Sequence, residues 1–152
     1  MKIIVLIAPF LIFTACAANV SQTAKKAYAD GSVIGVEIAG KKFNLAAAAT
    51  AHAKAKGLSG RDKMPSDGMI FLFGEPQPLS FWMKDMRFPI DIIWINGGKI
   101  VSITENAVPE PGVKDEDLKR YFPGSSADTV IELNAGDCGK YKIKAGDTFA
   151  IK

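Results

Sequence analysis

The sequence has little of the chemistry that metal centres and disulfide scaffolds require. Its 152 residues include one histidine and two cysteines. That supply excludes His-rich and Cys-rich metal sites and a framework of disulfide bonds. We therefore expect no bound metal and no other cofactor.

Recognisable catalytic motifs are missing as well. No Gly-rich phosphate loop follows a strand, and no Gly-x-Ser-x-Gly elbow occurs in the sequence. The only histidine, His52, lies among alanines, which favours an exposed position on a helix over a catalytic triad. The sequence thus favours a protein that is not an enzyme, although enzymatic activity stays open as an alternative.

Clustered positive charge is scarce too. Nineteen Lys and Arg residues stand against sixteen Asp and Glu, for a formal charge of +3. Without a basic patch there is little reason to expect nucleic acid as a partner. Hydrophobic residues make up 48% and charged residues 23%, a balance that excludes wholesale disorder.

The one long apolar run stands at the start of the chain. Met1-Lys2 is followed by eleven apolar residues, Ile3 to Phe13, and then by small residues. A membrane-spanning helix needs about 20 apolar residues, so this run is typical of a secretory signal peptide instead. We predict a signal peptide over residues 1–18 and a linker over residues 19–32.

Two modes of cleavage stay open for this leader. Phe13-Thr14-Ala15-Cys16 resembles a bacterial lipobox, which makes Cys16 a candidate for lipidation. The alternative is ordinary cleavage after Cys16-Ala17-Ala18. Either way we expect an exported, periplasmic protein whose only link to a membrane would be an N-terminal lipid anchor.

Short strand patterns separated by turn signals dominate the rest of the chain. Alternating or continuous apolar runs of strand length recur, and Asn96-Gly97-Gly98 is a strong hairpin signal. Alanine-rich sequence from Ala46 to Lys56 predicts one helix, ended by Gly57. The fold class is therefore mainly β: one domain over residues 33–152, an antiparallel β-sandwich or partly closed barrel with one packed helix.

Two strand patterns, Ser80 to Lys84 and Ile90 to Ile95, predict a hairpin of unusual composition. If Lys84 lies opposite Asp91, alternation places Trp82, Lys84 and Asp91 on one face. These residues either form a structural ion pair beside half-buried aromatic packing or line the mouth of a pocket. In the second case Arg61 and Arg87 are candidate clamps for an anion.

Several segments resemble the family called domain of unknown function 192. They are Lys56-Gly57-Leu58-Ser59-Gly60-Arg61, Gly68-Met69-Ile70-Phe71, Phe81-Trp82-Met83-Lys84, Pro89-Ile90-Asp91-Ile92-Ile93, and a tail with Leu133, Ala135-Gly136 and Gly146-Asp147. The resemblance implies a compact β-rich domain that is often exported, and no established activity. It marks Arg61, Trp82, Lys84, Pro89 and Asp91 as the residues to test.

Three functional hypotheses follow from these residues. The first is a non-enzymatic envelope module that binds a small molecule or an envelope protein through Arg61, Trp82, Lys84 and Asp91. The second is a hydrolase or lyase with Asp91 as general base and Lys84 or Arg61 stabilising negative charge. The third is a purely structural or interaction protein, with its partner surface elsewhere, for instance on the loop from Val108 to Gly124.

Overall fold

The structure, a computed structural model, describes residues 28–152, and strands dominate them. The predicted signal peptide and Cys16 lie outside the described residues. Within residues 28–152 no helix combines the length and apolar character needed to cross a bilayer. The elements are β1 Val33–Ile38, β2 Lys41–Ala48, α1 Ala51–Lys56, β3 Gly68–Gln77, β4 Phe81–Trp82, β5 Ile90–Asn96, β6 Lys99–Ala107, β7 Arg120–Tyr121, β8 Ala127–Asn134, α2 Asp137–Tyr141 and β9 Phe149–Ile151.

One large sheet carries most of these strands. Its seven strands follow the order β6-β5-β8-β3-β2-β1-β9, and β4 pairs separately with β7. Every pairing in the large sheet is antiparallel except that of β2 with β3, which is parallel. The prediction of a mainly β fold is confirmed. The prediction of a wholly antiparallel sheet is wrong, because β2 and β3 pair in parallel.

The sheet curls into a half-barrel, so its two outer strands approach each other at one end. The backbone N–H of Ile100 donates to the carbonyl of Asp147 over 2.9 Å, and that of Phe149 donates to Gly98 over 2.9 Å. These bonds connect the start of β6 to the segment that enters β9.

Both faces of the sheet are covered by apolar residues. Side chains alternate along a strand, and in β8 this sends Val130 to one face and Ile131 and Leu133 to the other. The face under α1 and β4, here called the outer face, carries Met69, Phe71, Ile92, Trp94 and Val130. The opposite face, here called the inner face, carries Ile70, Ile93, Ile131, Leu133 and Cys138 of α2.

The alanine-rich segment divides between a strand and a helix, which corrects the prediction of one helix from Ala46 to Lys56. Residues 46–48 end β2, and α1 begins only at Ala51. All three strand alanines are at most 6% exposed. Their small side chains suit the interior of the sheet, and burial there overrides the helical preference of alanine.

Thr50 and Gly57 set the ends of α1. The Thr50 hydroxyl accepts the N–H of Ala53 at 3.2 Å, and Asp30 accepts the N–H groups of Ala49 and Thr50. The Thr50 hydroxyl also donates to Asp30 at 2.6 Å, and this bond is the largest cause of the lowered pKa of Asp30, followed by the two backbone bonds. Gly57 ends the helix with a φ of 48°, a conformation that glycine adopts readily. The helix is thereby fixed over the outer face.

A second helix, α2, is not predicted by the sequence. It has only five residues, Asp137–Tyr141, and two of them are glycine and cysteine, so it carries no helical periodicity. The loop predicted from Val108 to Gly124 contains a single 3-10 turn at Asp115–Asp117 and the short strand β7. That strand gives β4 its partner.

Candidate functional site

The predicted hairpin between β4 and β5 does not form. Phe81 and Trp82 pair with Tyr121 and Arg120 of β7. The other strand, β5, has β6 on one side and β8 on the other, so both of its edges are already occupied. The predicted register of Lys84 opposite Asp91, with the ion pair that follows from it, is therefore wrong.

Asp91 instead lies on the inner face, fully buried. One carboxylate oxygen accepts the backbone N–H of Asn106 at 2.9 Å, and the other accepts that of Cys138 at 2.9 Å. The Cys138 amide is in the first turn of α2, where N–H groups lack helical partners. Asp91 thus joins β5, the irregular end of β6 and the start of α2, which is a structural role.

Cys138, at the start of α2, is fully buried on the inner face. Burial raises the pKa of its thiol, and the neighbouring Asp91 charge adds to this effect. A thiol whose pKa is raised is a poor nucleophile. Within residues 28–152 no group of three His, Cys, Asp or Glu side chains is arranged to hold a metal ion.

The other three predicted site residues lie on the side of the sheet that carries α1 and β4. The loop after α1 is bonded to the segment after β4, since the Ser59 hydroxyl donates to the Lys84 carbonyl at 2.8 Å. Arg61 follows in that loop and is exposed. Lys84 forms an exposed ion pair with Asp115, which raises the pKa of the lysine. The structure therefore brings Arg61, Trp82 and Lys84 into one region and separates Asp91 from them.

Two cations lie close to the ring of Trp82. The Arg120 guanidinium lies 3.6 Å from the centroid of the indole ring, and the Lys84 ammonium lies 5.5 Å from it. Such cation–π contacts orient an aromatic ring. Arg87, the other predicted anion clamp, is exposed and paired with Asp62.

Sequence reasoning missed the most unusual residue of this region, Glu132. It lies in β8 opposite Met69 of β3 and Ile92 of β5, so its side chain enters the apolar outer face. The residue is 6% exposed, and its Oε2 atom has no hydrogen-bond partner in the part of the chain that the structure describes. Burial alone raises the pKa of Glu132 from 4.5 to about 8.

Glu132 borders a pocket of about 230 Å³ between α1 and β4, here called the Glu132 pocket. Aromatic rings form much of its wall, and Phe81 is packed edge-on against Phe71 with centroids 5.1 Å apart. The lining comprises residues 54–59, Phe71, Phe73, residues 79–82, Met86 and Glu132. Trp82 is thus both a predicted site residue and part of the pocket.

The signal that could have identified Glu132 is its position in the sequence. It interrupts the apolar run Val130-Ile131-Glu132-Leu133. A carboxylate inside a strand that is buried on both faces is rare unless it is paired. Asp91 interrupts the apolar run of β5 in the same way. Only the structure shows that Asp91 accepts two hydrogen bonds, whereas Oε2 of Glu132 accepts none from the described residues.

Comparison with known proteins agrees with this fold. A crystal structure of a candidate transcription regulator from Sinorhizobium meliloti 1021 is similar, with TM-score 0.68, 29% identity, and coverage of 82% of this chain and 98% of that one. A protein of unknown function from Novosphingobium aromaticivorans is similar with TM-score 0.64 and 29% identity, over 78% of this chain and 83% of that one.

No curated protein matches the sequence. A family model does match it, over residues 34–151, which is more than half of the chain. That span includes every strand but the first residue of β1, together with the whole Glu132 pocket. The chain belongs to the domain of unknown function 192 family, a family described as uncharacterised.

Proposed function

We propose that this protein binds a small molecule in the Glu132 pocket and does not transform it. The observation that carries the proposal is the buried, unpartnered Oε2 atom of Glu132 beside a pocket walled by aromatic rings. Buried polar groups in native proteins nearly always have a partner, and an exception calls for an explanation. A ligand that bonds to Glu132 would supply that partner.

Leaving the Oε2 atom of Glu132 without a partner has an energetic cost. An unsatisfied buried polar group costs about 1–3 kcal/mol. The strand alternation that places Glu132 on the outer face would accept an apolar side chain equally well, as it does at Val130 on the same face. The Oε2 atom makes no hydrogen bond within the described residues that would offset this cost, which favours a bond to a ligand.

The composition of the pocket favours binding over catalysis. Within the described lining Glu132 is the single acid and no histidine or cysteine is present. General acid–base catalysis usually places a second group against the reacting atoms. The general base proposed from sequence, Asp91, is bonded to two backbone amides on the other face.

Pocket size limits the ligand. Sites for drug-sized molecules occupy roughly 300–1,000 Å³, and this pocket has about 230 Å³. Its aromatic walls offer flat apolar surfaces on which a ring could pack. We therefore expect a ligand the size of a single substituted ring.

The binding proposal is tested by screening a fragment library with ¹H–¹⁵N NMR. The reporter is the indole N–H of Trp82, and the internal control is that of Trp94, which is fully buried and bonded to Thr104 at 3.3 Å. A fragment that shifts Trp82 in the wild type but not in Glu132→Leu supports the proposal. Fragments that shift both proteins equally, or none that shift Trp82, contradict it.

We also propose that the protein acts outside the cytoplasm, held to a membrane through lipidated Cys16. The support is the apolar run Ile3 to Phe13 followed by Phe13-Thr14-Ala15-Cys16. Replacing Cys16 by Ser should release the protein from the membrane fraction or leave uncleaved precursor. Identical fractionation and migration of both proteins would exclude the lipid anchor and leave ordinary signal cleavage.

A further inference from the structure

Charge is distributed unevenly around the Glu132 pocket. Lys54 and Lys56, in the last turn of α1, both line it, and neither has a carboxylate partner within residues 28–152. Beyond the lining, Arg120 and Lys84 both lie against Trp82, and of these two Lys84 is neutralised by Asp115. The cations at the entrance thus outnumber the acids.

The acid at the other end of the pocket does not offset these cations. Burial raises the pKa of Glu132 to about 8, so near neutral pH most molecules hold it in the uncharged form. A protonated carboxyl donates one hydrogen bond and accepts others. The pocket therefore combines positive charge at its entrance with a neutral hydrogen-bonding group inside.

We infer that the ligand is a small organic anion whose flat apolar body lies between the rings, with its negative group at Lys54 and Lys56 and a hydrogen-bonding group at Glu132. This inference rests on the binding function proposed above. An aromatic carboxylate that carries a hydroxyl group opposite its acid has this arrangement. Lys54 is already positioned for it, because its ammonium lies 4.8 Å from the ring centroid of Phe73 and thus beside the aromatic wall.

The main alternative is a cationic ligand, with Glu132 ionised as its counter-ion and the aromatic rings as a cation cage. Such a ligand would have to pass Lys54 and Lys56, whose like charges repel it. It would also have to remove the proton from Glu132 on binding. Both requirements disfavour a cation.

Three probes of one shape distinguish the charge classes: 4-hydroxybenzoate, 4-hydroxybenzamide and 4-hydroxybenzylamine. Each is titrated against the full mature protein, and the shift of the Trp82 indole N–H gives the dissociation constant. We expect the benzoate to bind about tenfold more tightly than the amide. Two partly screened charge contacts give a difference in affinity of this size. The amine should bind most weakly.

A pair of double variants tests the entrance lysines. Lys54→Gln with Lys56→Gln should remove the preference for the benzoate over the amide. The matched control is Lys41→Gln with Lys42→Gln, two exposed lysines at the start of β2 that do not line the pocket. It makes the same change in net charge and should keep the preference, and unchanged dispersion of the NMR spectrum verifies folding of both.

The outcomes separate this inference from the binding function. If the amine or the amide binds as tightly as the benzoate, or if the control loses the preference too, the anion inference is wrong and the pocket still binds ligands. If no probe shifts Trp82 but the fragment screen yields a neutral ligand that depends on Glu132, the anion inference again fails alone. If neither yields a ligand, both proposals fail.

Discussion

Two buried acidic side chains lie in neighbouring strands of one sheet and differ in their hydrogen bonding. Asp91 of β5 lies opposite Leu133, and Glu132 of β8 lies opposite Ile92, so the two residues are diagonal neighbours on different faces. Asp91 accepts two backbone N–H groups, whereas Oε2 of Glu132 has no partner in the described chain. Asp91 therefore stabilises the fold through its hydrogen bonds, whereas Oε2 of Glu132 makes none in the described residues and is available to a ligand.

The difference shows that burial alone does not identify a functional acid. Both residues are buried, and both interrupt apolar strands. What distinguishes them is whether the surrounding backbone supplies donors: the start of α2 and the end of β6 do so on the inner face. On the outer face none of the described groups that line the Glu132 pocket donates a hydrogen bond to Oε2.

The largest effect is expected from removing the structural acid. Asp91→Ala removes the acceptor of the N–H groups of Asn106 and Cys138, and a hydrogen bond to a charged group contributes about 1.5–3 kcal/mol. The free energy of unfolding, measured in urea, should therefore fall by about 3–6 kcal/mol. Asp62→Ala, which removes an exposed carboxylate paired only with Arg87, is the control and should change little. Equal losses in both variants would contradict the structural role of Asp91.

The next effect concerns the pH dependence of stability that Glu132 produces. The pKa of Glu132 is higher in the folded state, about 8, than the unfolded 4.5. The folded protein therefore binds this proton more tightly, so the contribution to stability is complete below about pH 4.5 and is lost as the pH rises towards 8. The loss has a slope of about 1.4 kcal/mol per pH unit.

Glu132→Gln cannot titrate and should lack this slope. Relative to the wild type, its free energy of unfolding should rise by about 3 kcal/mol between pH 5 and pH 7. Urea titrations of both proteins across this range give the difference directly, and groups other than Glu132 cancel in it. Parallel profiles for the two proteins would show that the Glu132 carboxyl is not desolvated.

A smaller effect is expected from the cation stacked on Trp82. Arg120→Gln removes the guanidinium that lies 3.6 Å from the indole centroid, and an exposed cation–π contact contributes about 0.5–1 kcal/mol. Urea unfolding should report a loss of that size. Arg61→Gln, which removes another exposed guanidinium on the same side of the sheet, should cost less; a larger loss there would mean that Arg61 carries a structural contact.

The smallest effect is expected at Lys84. Its ion pair with Asp115 is solvent-exposed on both sides, and such pairs stabilise folded proteins little. Lys84→Gln should therefore unfold within experimental error of the wild type, as should Asp115→Asn. A marked loss in the lysine variant alone would show that the contact of Lys84 with the Trp82 ring, 5.5 Å from its centroid, also stabilises the fold.

The sequence predicts much of the fold because the strand signals are local. The Asn96-Gly97-Gly98 turn connects β5 to β6, as the hairpin signal predicts. The parallel pairing of β2 with β3 could not be predicted, because it joins residues 45–48 to 68–71 across a connection that contains α1. Gly68 is instead a trace of the close approach of β3 to β8, because a Cβ there would clash with the carbonyl oxygen of Glu132.

The candidate site is predictable only in part. Trp82, which its aromatic and charged surroundings mark as a candidate, lines the pocket. The pairing of Lys84 with Asp91 fails because strand partners depend on long-range topology, and a hairpin between sequence neighbours is only the commonest arrangement. Glu132 is missed because its burial and its hydrogen bonding depend on how three strands and a helix pack together.

The central claim is that the carboxyl of Glu132 is buried, open and uncharged near neutral pH. A ¹³C NMR titration of the side-chain carboxyl groups, with the Glu132 signal assigned by its loss in Glu132→Gln, measures this directly. We predict that the Glu132 carboxyl titrates with a midpoint at about pH 8. A midpoint near the ordinary value of 4.5 would mean that the carboxyl is solvated or already bonded, and the proposed pocket would lose its defining residue.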